Sequence, residues 1–299
     1  MIEKRKVHLT IIPSYKTSDL TCLSFISSDM TTLDLSQLNL HLEEIDRNFI
    51  INKIDIRPAN ISELSDTYFD LLYHLCLTFT MKVSVWTNLV TFSKSIVNAC
   101  DMLNVPYHFD LDKERKKKIA DNIKAIESNG KVINLKSFDI WCTEDEKDTI
   151  KEINNLGVQS WEIIPWHGIY NNTYPATEAI IKKYLDLSKF MNFAFQNELQ
   201  LDGVLLEENY SENKVYILPN NKLAIMSFDE DNRFSFKELK DAYQLNYELG
   251  KIDGKRSSLC KDCNYKLWCL ANYYLNLDYT GKSCSGMKDL IKLHRGVRK

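Results

Sequence analysis

The alternation of strand-like and helix-like segments through the first two-thirds of the chain constrains its fold more than any other feature. Short runs rich in β-branched and aromatic residues at Val7–Ile12, Phe49–Ile56, Lys82–Trp86, Tyr107–Leu111, Val132–Trp141 and Ser160–Pro165 read as strands. Helices are predicted near Ile61–Leu77 and over Val90–Leu103 and Lys113–Asn129. A further helix starts at Thr143, where Thr-Glu-Asp-Glu supplies a cap and an acidic first turn, and stops at Gly157. Strands separated by single helices imply βαβ units and parallel pairing. Six such units make either a partial barrel or a doubly wound sheet.

Beyond Pro175 the texture changes. Ala176–Asn197 reads as helical, and Lys214–Leu218 and Lys222–Ser227 flank the turn signal Pro219-Asn220-Asn221. Phe236–Leu249 reads as helical again, followed by a polar linker, Lys251–Ser258, and a run of cysteines. A boundary near residue 200 divides the chain into a barrel-like region, 1–200, and a smaller domain, 201–299.

Composition excludes several classes. With 44% hydrophobic and 26% charged residues, the chain has ordinary globular content. A net charge of −3 gives no broad nucleic-acid footprint. No apolar run approaches the roughly 18 residues of a membrane span. The basic start, Met1–Ile12, is too short in apolar content for a signal peptide, so a cytoplasmic location is expected. Nine glycines in 299 residues are less than half of the roughly 7% usual in proteins. No Gly-x-Gly-x-x-Gly or Walker loop is present, which argues against nucleotide chemistry through such loops.

Eight cysteines are unevenly spread. Cys22, Cys76, Cys100 and Cys142 are scattered, whereas Cys260-x2-Cys263-x5-Cys269-x14-Cys284 is concentrated. In a reducing compartment such a group points to a metal or cluster rather than to disulfides. Zinc sites favour two close pairs, and here only the first pair is close. The uneven spacing therefore favours one [4Fe–4S] cluster, with zinc as the alternative. Tyr265, Trp268, Tyr273 and Tyr274 would either shield that site or pack a small core.

The stretch Leu259–Met287 resembles the SPASM domain that follows the barrel in many radical SAM peptide maturases. In that family two auxiliary [4Fe–4S] clusters share a cysteine pattern. The resemblance assigns Cys260, Cys263, Cys269 and Cys284 to the second cluster. Tyr273 stands where a further cysteine belongs, Met226 stands near another, and no cysteine lies between 143 and 259. The first cluster's ligands are thus absent. The family's barrel also carries Cys-x3-Cys-x2-Cys after its first strand. Here Ser18, Cys22 and Phe25 fall on those positions, leaving one thiol of three. Arg57-Pro58-Ala59-Asn60 replaces the family's Gly-Gly-Glu-Pro, and Thr87-Asn88 resembles its Thr-Asn-Gly without the glycine. The resemblance implies a partial (β/α)6 TIM-like barrel followed by a small SPASM-like domain. It further implies a pseudo-radical-SAM accessory, binding no S-adenosylmethionine. Its expected partner is a precursor peptide or a partner maturase, with no nucleic acid and no membrane. The alternatives are a redox or peptide-modifying enzyme using the remaining cluster, and a zinc-stabilised scaffold.

Other candidates are weaker. His8, His41, His74, His108, His167 and His294 show no metal-binding spacing and are expected to be structural or exposed. Only His167, in Pro-Trp-His-Gly after the sixth strand, would reach a barrel mouth. Asp110 and Asp112 share one side of a strand at period two, as a carboxylate pair or as a solvated end. Arg57 would grip a carboxylate or phosphate at the mouth, or belong to a turn. Lys113–Lys118 and the basic tail His294–Lys299 read as solvated charge.

Overall fold

β1 (Lys6–Ile11) lies inside the sheet rather than at its edge. It pairs in parallel with β2 (Ile50–Ile56) on one side and with β8 (Asn213–Ile217) on the other. The computed structural model describes residues 4–14, 31–57, 64–90, 100, 102–128, 131–138, 146–158, 160–164, 194–195, 213–228 and 234–259. From β2 the sheet continues in chain order through β3 (Val83–Trp86), β4 (Met102–Pro106), β5 (Val132–Phe138), β6 (Ser160–Ile164) and β7 (Ala194–Phe195), all parallel. From β8 it continues antiparallel through β9 (Leu223–Phe228) and β10 (Phe234–Leu239). The result is one mixed α/β sheet.

Sequential order decides between the two architectures that the sequence allows. A doubly wound sheet reverses its strand order at a switch point, and here β1 to β7 never reverse. Right-handed crossovers between strands laid down in one direction put every helix on the same face. The core agrees with this. Val7, Leu9 and Ile11 of β1 share one cluster with Ile54, Ile56, Val83, Val85, Leu103, Val105, Ile133 and Leu135. The helices meet that same cluster: α1 (Leu35–Asn48) through Leu38, Leu42 and Ile45, and α2 (Asp66–Leu77) through Phe69, Leu72 and Cys76. α3 (Lys113–Glu127) follows with Ile119, Ile123 and Ile126, α4 (Glu146–Leu156) with Ile153 and Leu156, and α5 (Ala242–Leu259) with Leu245 and Leu249. These are the i, i+3, i+4, i+7 stripes of helices lying on a sheet. Each fully buried aliphatic side chain contributes about 1.5–3 kcal/mol. The opposite face carries no helix among the described residues.

Local chemistry sets the helix starts. Asp34, Ser65 and Asp112 cap α1, α2 and α3, each accepting from a backbone N–H two or three residues ahead. Gly157 ends α4 at φ 72°, a left-handed conformation that glycine adopts without a steric penalty. The hairpin turn at Pro219–Asn221 forms as expected, with Asn221 at φ 59°. α1 holds that turn in place. The Asp34 N–H donates to Asn221 Oδ1 at 3.1 Å, and His41 Nε2 lies 2.8 Å from the Asn221 carbonyl oxygen.

Four sequence expectations are corrected. The fourth strand is Met102–Pro106, not Tyr107–Leu111, so Leu103 is not helical. Buried Tyr107 and Phe109 mimic a strand's period, but they belong to the loop that leads into the Asp112 cap. Phe234–Leu239 is a strand, paired with β9 along its full length, although Phe236–Leu249 reads as helical. Lys251–Ser258 continues α5 rather than forming a linker. Ala194–Phe195 pairs with β6 instead of closing a helix. For the three strands, pairing with neighbours overrides local propensity.

Candidate functional site

The helix-free face of the sheet is polar where the covered face is apolar. Strand alternation turns His8 and Thr10 of β1 to this side, and register carries the side across the sheet. It places Lys53 and Asp55 beside them on β2, Ser84 on β3 and Lys214 on β8. Trp86 and Asn104 pair across β3 and β4, Asn104 and Asn134 across β4 and β5, and Lys136 lies beside Pro106.

Asp55 is the centre of this cluster and is 2% exposed. His8 Nε2 lies 3.0 Å from Oδ2, Lys53 Nζ 3.2 Å from Oδ1, and an Arg57 amino nitrogen 3.5 Å from Oδ2. The Ser84 hydroxyl donates to Asp55 Oδ1, and Asn104 Nδ2 donates to that hydroxyl at 3.0 Å. Burial by itself would raise the Asp55 carboxyl. The pull of His8, Lys53 and Arg57 outweighs it and holds the group well below the usual carboxylate range. Burial dominates at His8 and lowers its pKa against the pull of Asp55.

Lys136 is a strongly perturbed base of the face. Burial and the charges of Lys53, Arg57 and Lys214 push its amine down to about 7, against a partial pull from Asp55. Its response to Lys214 reports the shape of the sheet. β5 and β8 are five strand steps apart, about 24 Å on a flat sheet at roughly 4.8 Å per step. Lys214 nonetheless acts on Lys136, which a sheet curled toward its helix-free side allows. The polar face is then the concave wall of the sheet.

At the C-terminal ends of β2 and β3 the Arg57 guanidinium lies over the Trp86 ring, 3.9 Å from its centroid. Arg57 Nε and Trp86 Nε1 are both buried, and neither finds a hydrogen-bond acceptor among the described residues. Directly after Trp86, Leu89 takes φ 53°. That is the position at which the Thr-Asn-Gly resemblance places a glycine, and the backbone there is in the left-handed region that glycine favours. Thr87 Oγ1 and Asn88 Oδ1 accept from the Leu89 and Val90 N–H groups and hold the turn.

The remaining sequence candidates fare differently. Asp112 is a helix cap and Asp110 is exposed in a turn, so the two do not form a carboxylate pair. His41 binds the hairpin turn, His74 is exposed beside Asp70, and His108 lies near Asp110. Cys260, Cys263, Cys269 and Cys284 lie outside the described residues, as do Ser18, Cys22, Phe25, Pro58–Asn60, His167, Tyr273 and His294. Among the described residues no group of three or more His, Cys, Asp or Glu side chains could hold a metal ion. No described helix is long and apolar enough to cross a membrane. Sequence reading found Arg57 but missed Lys136 and the Asp55 cluster. The signal was present as lysine, aspartate and asparagine at alternate positions of Asn52–Arg57 and Asn134–Lys136, polar residues at inward positions of strands whose other face is apolar.

The sequential parallel strands, one-sided helices and polar inner wall make an α/β fold that solved structures share. Among solved structures, SuiB of Streptococcus suis bound to S-adenosylmethionine aligns with a TM-score of 0.66 at 15% identity, over 94% of this chain and 76% of its own. SuiB bound to its precursor peptide SuiA aligns with a TM-score of 0.56 at 14% identity, over 74% and 59%. A third SuiB structure gives 0.54 at 15% identity, over 74% and 60%. No family model matches the sequence, and no curated protein matches it.

Proposed function

We propose that the chain is a non-catalytic, radical-SAM-like accessory of peptide maturation that binds a precursor peptide, or a partner maturase, at the concave wall of its barrel. The observation that carries this reading is the donor set after β1. Ser18, Cys22 and Phe25 offer one thiol where the catalytic cluster of such a fold needs three. That set does not fit the cluster, and no chemistry is routed through it. The inner wall points the same way, because S-adenosylmethionine carries a fixed sulfonium charge and basic groups outnumber acidic ones around Asp55. The peptide carried by SuiB in one of its structures supports a peptide as the ligand.

In this reading residues 1–200 supply most of the binding barrel, and 201–299, which add β8 to β10 to its sheet, also carry the cysteines. Cys260, Cys263, Cys269 and Cys284 suit one [4Fe–4S] cluster as an all-thiolate set. When bound, the cluster would supply folding free energy to the segment around it. Zinc is the alternative occupant.

Anaerobic purification followed by iron, sulfide and zinc analysis tests the second site. We expect iron and sulfide with no stoichiometric zinc. Incubation with S-adenosylmethionine and a strong reductant tests the first, and no 5′-deoxyadenosine is expected. Its formation at enzymatic rates would overturn the accessory reading. A second reading, an enzyme working through the remaining cluster, draws on Lys136, whose amine is placed to give up a proton near neutrality. Turnover of a peptide that disappears in Lys136→Met would establish it.

A further inference from the structure

Arg57 Nε and Trp86 Nε1 are neighbouring donors at the rim of the concave wall. Both are buried, and both lack an acceptor among the described residues. Buried donors are almost always satisfied, and leaving one unpaired is costly. Two side by side, with a ring stack fixing their relative position, describe a place built for acceptor oxygens. The charge of the surroundings selects the acceptor. Lys53, Arg57, Lys136 and Lys214, with His8, face Asp55, and Glu162 pairs in register with Lys136. Cations are in excess, and Asp55 is already engaged by His8, Lys53, Arg57 and Ser84.

We propose that Arg57 Nε and Trp86 Nε1, with Lys136 within electrostatic reach, form a carboxylate-binding site at the C-terminal ends of β2 and β3. It takes an acidic side chain or the C-terminal carboxylate of a peptide. One carboxylate oxygen accepts from each donor, in the charge-assisted geometry that makes such bonds strong. The site deepens the peptide-binding reading and rests on it for the ligand's identity.

The reciprocal effect gives an independent readout. A bound carboxylate favours the protonated Lys136 amine, so affinity must fall as pH rises through about 7. The groups facing that amine are Lys53, Asp55, Arg57 and Lys214, with Glu162 at the adjacent register position.

The test is fluorescence anisotropy on the full chain with three labelled probes. These are a glutamate-rich peptide amidated at its C-terminus, its glutamine counterpart, and the glutamine peptide with a free C-terminus. Succinate serves as a small-acid ligand, its binding read directly by isothermal titration calorimetry. Trp86→Phe keeps an aromatic ring, though a smaller one, under Arg57 and removes the N–H donor. It should weaken carboxylate binding roughly tenfold, as the loss of one charge-assisted hydrogen bond implies. Lys136→Arg should retain binding but lose its decline between pH 6 and 8.5, a range chosen to bracket the Lys136 value of about 7. Thermal unfolding controls for misfolding, and binding is compared only at temperatures where both variants remain fully folded. Preference for the glutamate peptide or the free acid, lost in Trp86→Phe, supports the site and tells the two carboxylate sources apart. Equal binding of all peptides, unchanged by Trp86→Phe, overturns the site and leaves peptide binding standing. Succinate binding that depends on Trp86, without binding of any peptide, supports the site and overturns the peptide reading. Absence of binding by every probe overturns both.

Discussion

At the scale of residues, the inner wall is a balance of buried charges around one carboxylate. Asp55 holds His8, Lys53 and Arg57 together, and removing it takes away the counter-charge they share. Asp55→Asn keeps an acceptor for Ser84 but loses the charge, and it should destabilise the chain by about 3 kcal/mol in urea denaturation. Lys136 makes the opposite prediction. Its amine loses its proton near 7 in the fold and near 10.5 when unfolded. The unfolded chain therefore binds more protons between those values, and stability rises with pH across that window. Lys136→Met removes the titration. The midpoint advantage of the variant over the wild type should be largest near pH 7 and shrink towards pH 10, as read by thermal melts in matched buffers. None of this was legible in the sequence. A lysine in a strand looks like surface until the register shows which way it faces, and the shift at Lys136 comes from β2 and β8, both remote in the chain.

Elements were more legible where local chemistry acts alone. One stop was read correctly, since Gly157 ends its helix as expected, and Lys113–Glu127 matches the charged amphipathic stretch closely, whereas Thr143, the cap expected for α4, lies outside the described residues. Gly157→Ala forces a side chain into the left-handed region at φ 72°, with nothing within 4 Å of the added methyl to compensate. It should cost about 1 kcal/mol. Asp112→Ala should cost about the same by removing the α3 cap. Both are measurable as shifts in the urea midpoint at unchanged slope. The errors fell where pairing decides. Met102–Pro106 contains a proline and an asparagine, both poor strand formers, yet it lies between β3 and β5 and is drawn into their ladder. Phe234–Leu239 carries adjacent Lys237 and Glu238, which read as a helix surface until β9 supplies its antiparallel partner.

At the scale of the whole molecule, alternation of strands and helices was enough to predict an α/β sheet with parallel strands. It was not enough to place Asn213–Ile217 against the first strand, because no local pattern encodes a pairing across roughly 200 residues. Cys263→Ser tests the other end of the chain. Loss of one thiolate from the proposed set should abolish iron and sulfide binding and leave material that precipitates or is readily cleaved by protease after α5. A fully loaded, protease-resistant variant would remove Cys263 from the ligand set. The central position of β1 has a last consequence, for how the molecule is made. Its edge toward β8 cannot be filled until Ile217 has been synthesised, and at roughly 5–20 residues per second the nascent chain carries an open hydrogen-bonding edge for on the order of ten to forty seconds. A trigger-type chaperone, or slow release from the ribosome, should therefore raise the yield of this protein more than that of a sheet whose first strand lies at a border.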